Sequence, residues 1–202
     1  CEVFYHADVE KLMKEYFQED LFGNEQKGPD PVIHFYEDFL KEYDPELRKR
    51  MGAYYTPLPV VMFITRSVDY LLKNTFKLAG GLADTSKTPN DLHRVQVLDP
   101  AVGTGTFISA VLGVIYSKLI KSGQQGRWPK YVHNDLLPRI HGFELMMAPY
   151  TIAHLKLAMA FRERGFKYFN RRLGIYLTNS LEETTKQEEL FTAFGLAESI
   201  AQ

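Results

Sequence analysis

The stretch Val97-Leu98-Asp99-Pro100-Ala101-Val102-Gly103-Thr104-Gly105-Thr106-Phe107 decides how this chain is read. Apolar residues run into an acid, the chain turns through two glycines, and an apolar, helix-type sequence follows to about Lys121. That pattern is a strand, a tight turn and a helix. Gly103 and Gly105 carry no side chain, so a ligand can approach the backbone closely there. The helix offers unpaired N–H groups and the positive end of its dipole. Asp99, at the strand end, can accept from an ammonium group. An acid beside a helix N-terminus suits a zwitterion. A tight turn with no ligand explains the glycines alone about equally well.

Two common nucleotide-binding patterns fit this turn poorly. A dinucleotide fingerprint needs Gly-x-Gly-x-x-Gly, and the last position here is Ile108. Its ribose-binding acid follows after about twenty residues, whereas Glu144 lies much farther on. A phosphate loop needs Gly-Lys-Ser/Thr, a tripeptide the chain lacks.

Working outward, residues 94–98, 139–144 and 173–178 read as strands. The second ends in Phe143-Glu144 and the third in Thr178-Asn179-Ser180. Between them a helix passes through Tyr150, Ala153, Leu157, Ala160 and Phe161. Alternating strands and helices predict an α/β fold with a parallel sheet. Ligands in such sheets sit beyond the C-terminal ends of the strands. There a carboxylate such as Glu144 can accept from both hydroxyls of a ribose, and Asn179 can both donate to and accept from an adenine edge. Each also has a plain structural use, Glu144 at a helix N-terminus and Asn179 in a turn.

Upstream, Thr56-Pro57 is a helix start, with a hydroxyl N-cap followed by a residue that needs no N–H. The spacing predicts a helix to about Lys77, burying Leu58, Val61, Met62, Thr65, Val68, Leu71 and Leu72, and ended by Gly80-Gly81. A polar loop is expected over 82–92. Helices are expected at 3–21, 32–43 and 187–201. Residues 1–50 then form an α-helical extension and 51–202 the main domain. The segment 122–139 lengthens the first crossover, either as a lid over the site or as a surface excursion. The basic and aromatic stretch 161–172 reads as a solvated helix end with buried aromatics in preference to a nucleic-acid surface. The histidines show no metal spacing.

The 202 residues suffice for one domain with a real core. The net charge of −1 argues against a free-standing DNA-binding domain, whose affinity rests on neutralising phosphates. With Cys1 as the single cysteine, no disulfide within the chain is possible, which fits a reducing cytoplasm. No stretch has the length and apolarity of a membrane span.

Four motifs in order resemble the gamma class of adenine-N6 DNA methyltransferases, over residue 31 to the end. Gly52-Ala53-Tyr54-Tyr55-Thr56-Pro57 is similar to the motif that precedes their fold, and 99–107 to their glycine motif. Gly142-Phe143-Glu144-Leu145 is similar to the ribose motif. Leu177-Thr178-Asn179-Ser180-Leu181 is similar to the adenine motif, which often carries Asp where Asn179 stands. The wording is nearest to single-polypeptide restriction–modification enzymes. The resemblance implies a partial class I methyltransferase fold, Rossmann-like, with S-adenosyl-L-methionine as cofactor. Tyr55 and Thr56 would cover the methionine end. Asp99, Ala101, Gly103, Gly105 and Phe107 would line the methionine and ribose. Glu144 would take the ribose hydroxyls, Leu145 would pack on the adenine, and Asn179 and Ser180 would read its edge.

The family's catalytic Asn/Asp-Pro-Pro-Tyr is absent from these 202 residues. The resemblance therefore implies a cofactor-binding fragment, inactive alone. Its parent would methylate double-stranded DNA with the rest of the methyltransferase and a target-recognition domain on the same polypeptide. The alternative is a cofactor-binding or interaction module with no activity of its own.

Overall fold

The computed structural model describes residues 56–181 together with Glu46. Tyr55, the helices expected at 3–21, 32–43 and 187–201, and most of the extension over 1–50 lie outside the described residues. The chain divides into two compact units, Cys1–Ile64 and Thr65–Gln202. The sheet and the site belong to the second.

Helix α1 (Leu58–Asn74) starts one residue later than the Thr56-Pro57 signal places it, with the Pro57 carbonyl accepting from the Val61 N–H at 3.2 Å. It ends at Asn74, short of Gly80-Gly81. The left-handed residue past its end is Lys77, at φ 59°, so a non-glycine makes the turn the glycines were expected to make. The buried stripe also differs. Val61 and Thr65 are buried, but Leu58, Val68 and Leu71 are exposed and Asp69 is buried instead. Asp69 lies four residues after Thr65, on the same helical line, and its charge is matched. Lys73 approaches it at 2.9 Å, Lys118 bonds the same carboxylate, and the Leu82 N–H donates at 2.8 Å. Burial pushes the Asp69 carboxyl up, and these three partners outweigh it, holding the pKa below 3.8.

The segment expected to be a polar loop over 82–92 is anchored at its start. A 3-10 turn, Gly81–Ala83, buries Leu82. Strand β1 (Val97–Asp99) is shorter than the 94–98 run, because the Arg94 N–H turns away to the Ser86 carbonyl at 2.9 Å. Helix α2 (Thr106–Lys121) follows the glycine turn. Strand β2 (Ile140–Glu144), helix α4 (Met147–Glu163) and strand β3 (Gly174–Leu177) complete the pattern.

All three strands are parallel, in the order β1-β2-β3. Asp99 pairs with Gly142 and Glu144 with Leu177. The fold is a partial class I methyltransferase fold, Rossmann-like. The core joins Ile108, Leu112 and Ile115 of α2, Ala153, Leu157 and Phe161 of α4, and Ile140 and Ile175 of the sheet.

The segment 122–139 is more than a surface excursion: residues 122–127 are exposed, but the rest contributes buried side chains to the core. It coils into a 3-10 turn (Gln125–Arg127), a short helix α3 (Trp128–Tyr131), a π-helical turn (Val132–Leu136) and a second 3-10 turn (Leu137–Arg139). Trp128, Val132 and Leu136 are buried in the same core as α2 and α4. Arg139 is fully buried, 0% exposed, with every donor group of its guanidinium bonded. It gives hydrogen bonds to the carbonyls of Asp135 (2.7 Å), Leu82 (2.7 Å) and Val95 (3.3 Å), and to the Tyr131 hydroxyl (2.6 Å). Tyr131 in turn donates to the Ala83 carbonyl at 3.1 Å. A buried charge is tolerated only when so satisfied. Arg139 thereby ties the start of β2 to the loops at Leu82 and Val95.

Candidate functional site

The glycine turn leaves β1 at Asp99 and enters α2 at Thr106. Its backbone is held to the neighbouring strand, since the Val102 N–H donates to the Phe143 carbonyl at 2.9 Å. The Gly105 N–H closes the turn on the Val102 carbonyl at 2.9 Å. Gly105 is left-handed, at φ 81°, and is the residue from which α2 starts. A Cβ there would lie 3.4 Å from Leu157 Cγ and 3.5 Å from Ala153, so the turn is seated on α4. Gly103 is also left-handed, at φ 56°, but a Cβ on it would meet nothing within 4 Å. The backbone at Gly103 is therefore open, and that at Gly105 is packed.

Asp99 accepts from the Ala101 N–H at 3.2 Å through Oδ1. Among the described residues, its Oδ2 is buried with no hydrogen-bond partner. Burial pushes the Asp99 carboxyl above its ordinary value of 3.8; the Ala101 N–H works against this and the charge of Glu144 adds to it. An unmatched buried carboxylate oxygen is costly.

Glu144 is buried, and backbone donors occupy both of its oxygens. The Gly103 N–H reaches Oε2 at 2.8 Å and the Met146 N–H reaches Oε1 at 2.9 Å. The acid at the end of β2 thus clamps the glycine turn and the start of α4. Each oxygen retains a second acceptor site. From β3, the Thr178 N–H donates to the Glu144 carbonyl at 2.8 Å. The Ser180 hydroxyl donates to the Pro100 carbonyl at 3.2 Å. Asn179 is half-buried, and its Oδ1 accepts from the Leu181 N–H at 3.1 Å, the turn role that its residue type allows.

The loops leaving β1, β2 and β3 are therefore joined by hydrogen bonds at Asp99–Gly105, Glu144 and Ser180. Phe107 is half-buried on the first turn of α2. Ala101 and Leu145 are exposed, Leu145 by 53%. Thr56 belongs to the other compact unit.

Sequence reasoning passed over two features. Gly142 in β2 lies under Val102, where a Cβ would come within 2.1 Å of Val102 Cγ2. A glycine inside a strand was the available signal. Lys156 of α4 donates to the Thr106 hydroxyl at 3.1 Å, and the Thr106 and Thr104 hydroxyls are 3.4 Å apart. Nothing in the sequence marks that contact. Within 161–172, Phe161 and Phe166 are buried while Tyr168 is 84% exposed. Among the described residues no group of His, Cys, Asp and Glu could hold a metal ion, and no helix is long and apolar enough to cross a membrane.

Residues 27–193 match the model of the family described as N-6 DNA methylase. The chain belongs to this N-6 DNA methylase family. Solved structures agree with the assignment. A nuclease-deletion mutant of the Type ISP restriction-modification enzyme LlaGI, in complex with a DNA substrate mimic, is 25% identical with a TM-score of 0.58 over 95% of this chain. The DrdV–DNA complex is 28% identical with a TM-score of 0.57 over 77%. The ATP-dependent Type ISP restriction-modification enzyme LlaBIII bound to DNA is 26% identical with a TM-score of 0.54 over 79%. This N-6 DNA methylase chain spans only 16%, 13% and 10% of those three chains, respectively. A search of curated proteins returned no match.

Proposed function

We propose that this chain is the S-adenosyl-L-methionine-binding part of an adenine-specific DNA N6-methyltransferase belonging to a restriction–modification system. The observation that carries the reading is the buried, unpartnered Asp99 Oδ2 beside the open backbone of Gly103. An amino-acid ammonium answers the first, and a flat nucleoside lying close to the chain uses the second. NAD and ATP bring no such cation.

In this reading Asp99, Ala101, Gly103, Gly105 and Phe107 line the methionine and ribose. Glu144 accepts from the ribose hydroxyls through the acceptor sites that Gly103 and Met146 leave open. Leu145 offers an exposed apolar surface to the adenine, and Asn179 and Ser180 read its edge. The methyltransferase region is 51–202, and it follows a helical extension of 1–50. The bound cofactor supplies an electrophilic methyl group on a sulfonium. The residues of this chain bind and orient it, which is the positional share of catalysis. In this reading the residues that grip the target adenine amine and the duplex DNA lie elsewhere in the parent polypeptide.

Isothermal titration of the 202-residue chain tests the reading. S-adenosyl-L-methionine is expected to bind, with NAD and ATP giving no heat. With duplex DNA and labelled cofactor, no methyl transfer is expected. Binding of NAD or ATP in place of S-adenosyl-L-methionine would overturn the cofactor assignment, and transfer would overturn the inactivity of this piece.

A further inference from the structure

The direction of a hydroxyl chain at the glycine turn can be worked out from donor chemistry. A lysine ammonium only donates, whereas a threonine hydroxyl donates one hydrogen and accepts others. Lys156 Nζ lies 3.1 Å from Thr106 Oγ1 and donates to it. The Thr106 hydrogen is then directed away from Lys156. The Thr104 oxygen, 3.4 Å away, is an acceptor on that side. With Thr104 accepting from Thr106, its own hydrogen is turned outward. Thr104 stands between Gly103 and Gly105, in the turn where Asp99 Oδ2 already waits for a cation.

From this we infer that Lys156 is a positioning residue: acting through Thr106, it makes the Thr104 hydroxyl an outward donor for the carboxylate of the amino-acid end of the cofactor. The inference rests on the cofactor reading above and deepens it. Asp99 takes the ammonium and Thr104 the carboxylate, so the two ends of one zwitterion are read by opposite partners on a single turn. Without Lys156, the Thr106 and Thr104 hydroxyls are free to reverse, and either direction satisfies them equally. Lys156 need not touch the ligand for this effect.

The test compares two ligands on the full 202-residue chain. S-adenosyl-L-methionine carries the carboxylate, and decarboxylated S-adenosylmethionine lacks it. Lys156→Met is expected to weaken binding of the first by about tenfold, the scale of one hydrogen bond to a charged group, and to leave the second unchanged. Thr104→Val is expected to do the same, and the double variant to lose no more than either single variant. Lys156→Arg, also donor-only, is expected to keep most of the affinity. Unchanged binding of S-adenosyl-L-methionine by Lys156→Met would overturn the inference, as would an equal loss for both ligands, which marks a merely structural role. Thr104→Val, which leaves Lys156 and its bond to Thr106 in place, keeps the test open if Lys156→Met fails to fold. Failure of the unaltered chain to bind either ligand would instead overturn the cofactor reading itself.

Discussion

Gly103 and Glu144 are joined by a hydrogen bond of 2.8 Å, from the backbone N–H of the glycine turn after β1 to a carboxylate oxygen at the end of β2. The second oxygen of the same carboxylate holds the Met146 N–H at 2.9 Å. Glu144 is thus a structural clamp before any ligand arrives. Glu144→Gln presents an NH2 donor to one of these two N–H groups and removes the charge. Loss of a buried hydrogen bond of this kind costs about 1.5–3 kcal/mol. Urea denaturation is expected to show a loss of that order, and titration a drop in S-adenosyl-L-methionine affinity of about tenfold or more. An unaltered denaturation midpoint would mean that the clamp contributes nothing.

Asp99 is expected to trade stability for binding. Its carboxyl is held above 3.8, chiefly by burial. A carboxyl whose folded pKa is raised favours the folded state most when protonated. That contribution is fully present below the unfolded value and is lost as pH rises through the folded one. Asp99→Asn is therefore expected to melt at a temperature equal to or above that of the unaltered chain at pH 7. The difference should shrink as pH is lowered toward 4. The same variant is expected to lose ligand affinity by at least about tenfold, since a neutral amide cannot match an ammonium charge. A variant less stable at pH 7 than at pH 4, relative to the unaltered chain, would contradict the burial argument.

Two glycines separate steric room from backbone strain. Gly103→Ala adds a Cβ into open space, but at φ 56°, and is expected to cost about 1–2 kcal/mol from the left-handed backbone alone. Gly142→Ala drives a Cβ to 2.1 Å from Val102 Cγ2 and 3.0 Å from Ile175 Cδ1. Overpacking of this kind costs about 1–3 kcal/mol or more. Val102→Ala placed on Gly142→Ala is expected to recover part of the loss, while it destabilises the unaltered chain. Additive losses in denaturation would show that the two side chains do not meet.

Arg139 donates to three carbonyls and one hydroxyl with no exposure to water. Arg139→Met leaves the Asp135, Leu82 and Val95 carbonyls without this donor, and is expected to destabilise by about 1–3 kcal/mol for each carbonyl left unsatisfied. Tyr131→Phe keeps the charge and removes one acceptor, and should cost less, about 1–2 kcal/mol. Equal stability of Arg139→Met and the unaltered chain would show that these bonds are made equally well to water in the unfolded chain.

The family was legible from the motifs at 52–57, 99–107, 142–145 and 177–181, and the alternation of strands and helices from turn chemistry and the two hydrophobic periods, which are local properties. The ends of α1 and β1 were less so. Gly80-Gly81 is a stronger stop on paper than Lys77, yet the chain turns at Lys77. Asp69 falls on the buried line of Val61 and Thr65, but its charge makes it read as a surface residue. It is buried because Lys118 and Lys73 come to it, and Lys118 is 49 residues away.

Sequence by itself determined that three parallel strands end in Asp99, Glu144 and Asn179-Ser180, since alternation and turn residues are written in neighbouring letters. Only the tertiary structure decided that Glu144 clamps Gly103, that Asp99 keeps one oxygen unmatched among the described residues, that Lys156 reaches Thr106, and that Trp128, Val132 and Leu136 of the segment 122–139 enter the core. Each of these depends on distances between residues far apart in the chain, and such distances are set by packing, which no local pattern encodes.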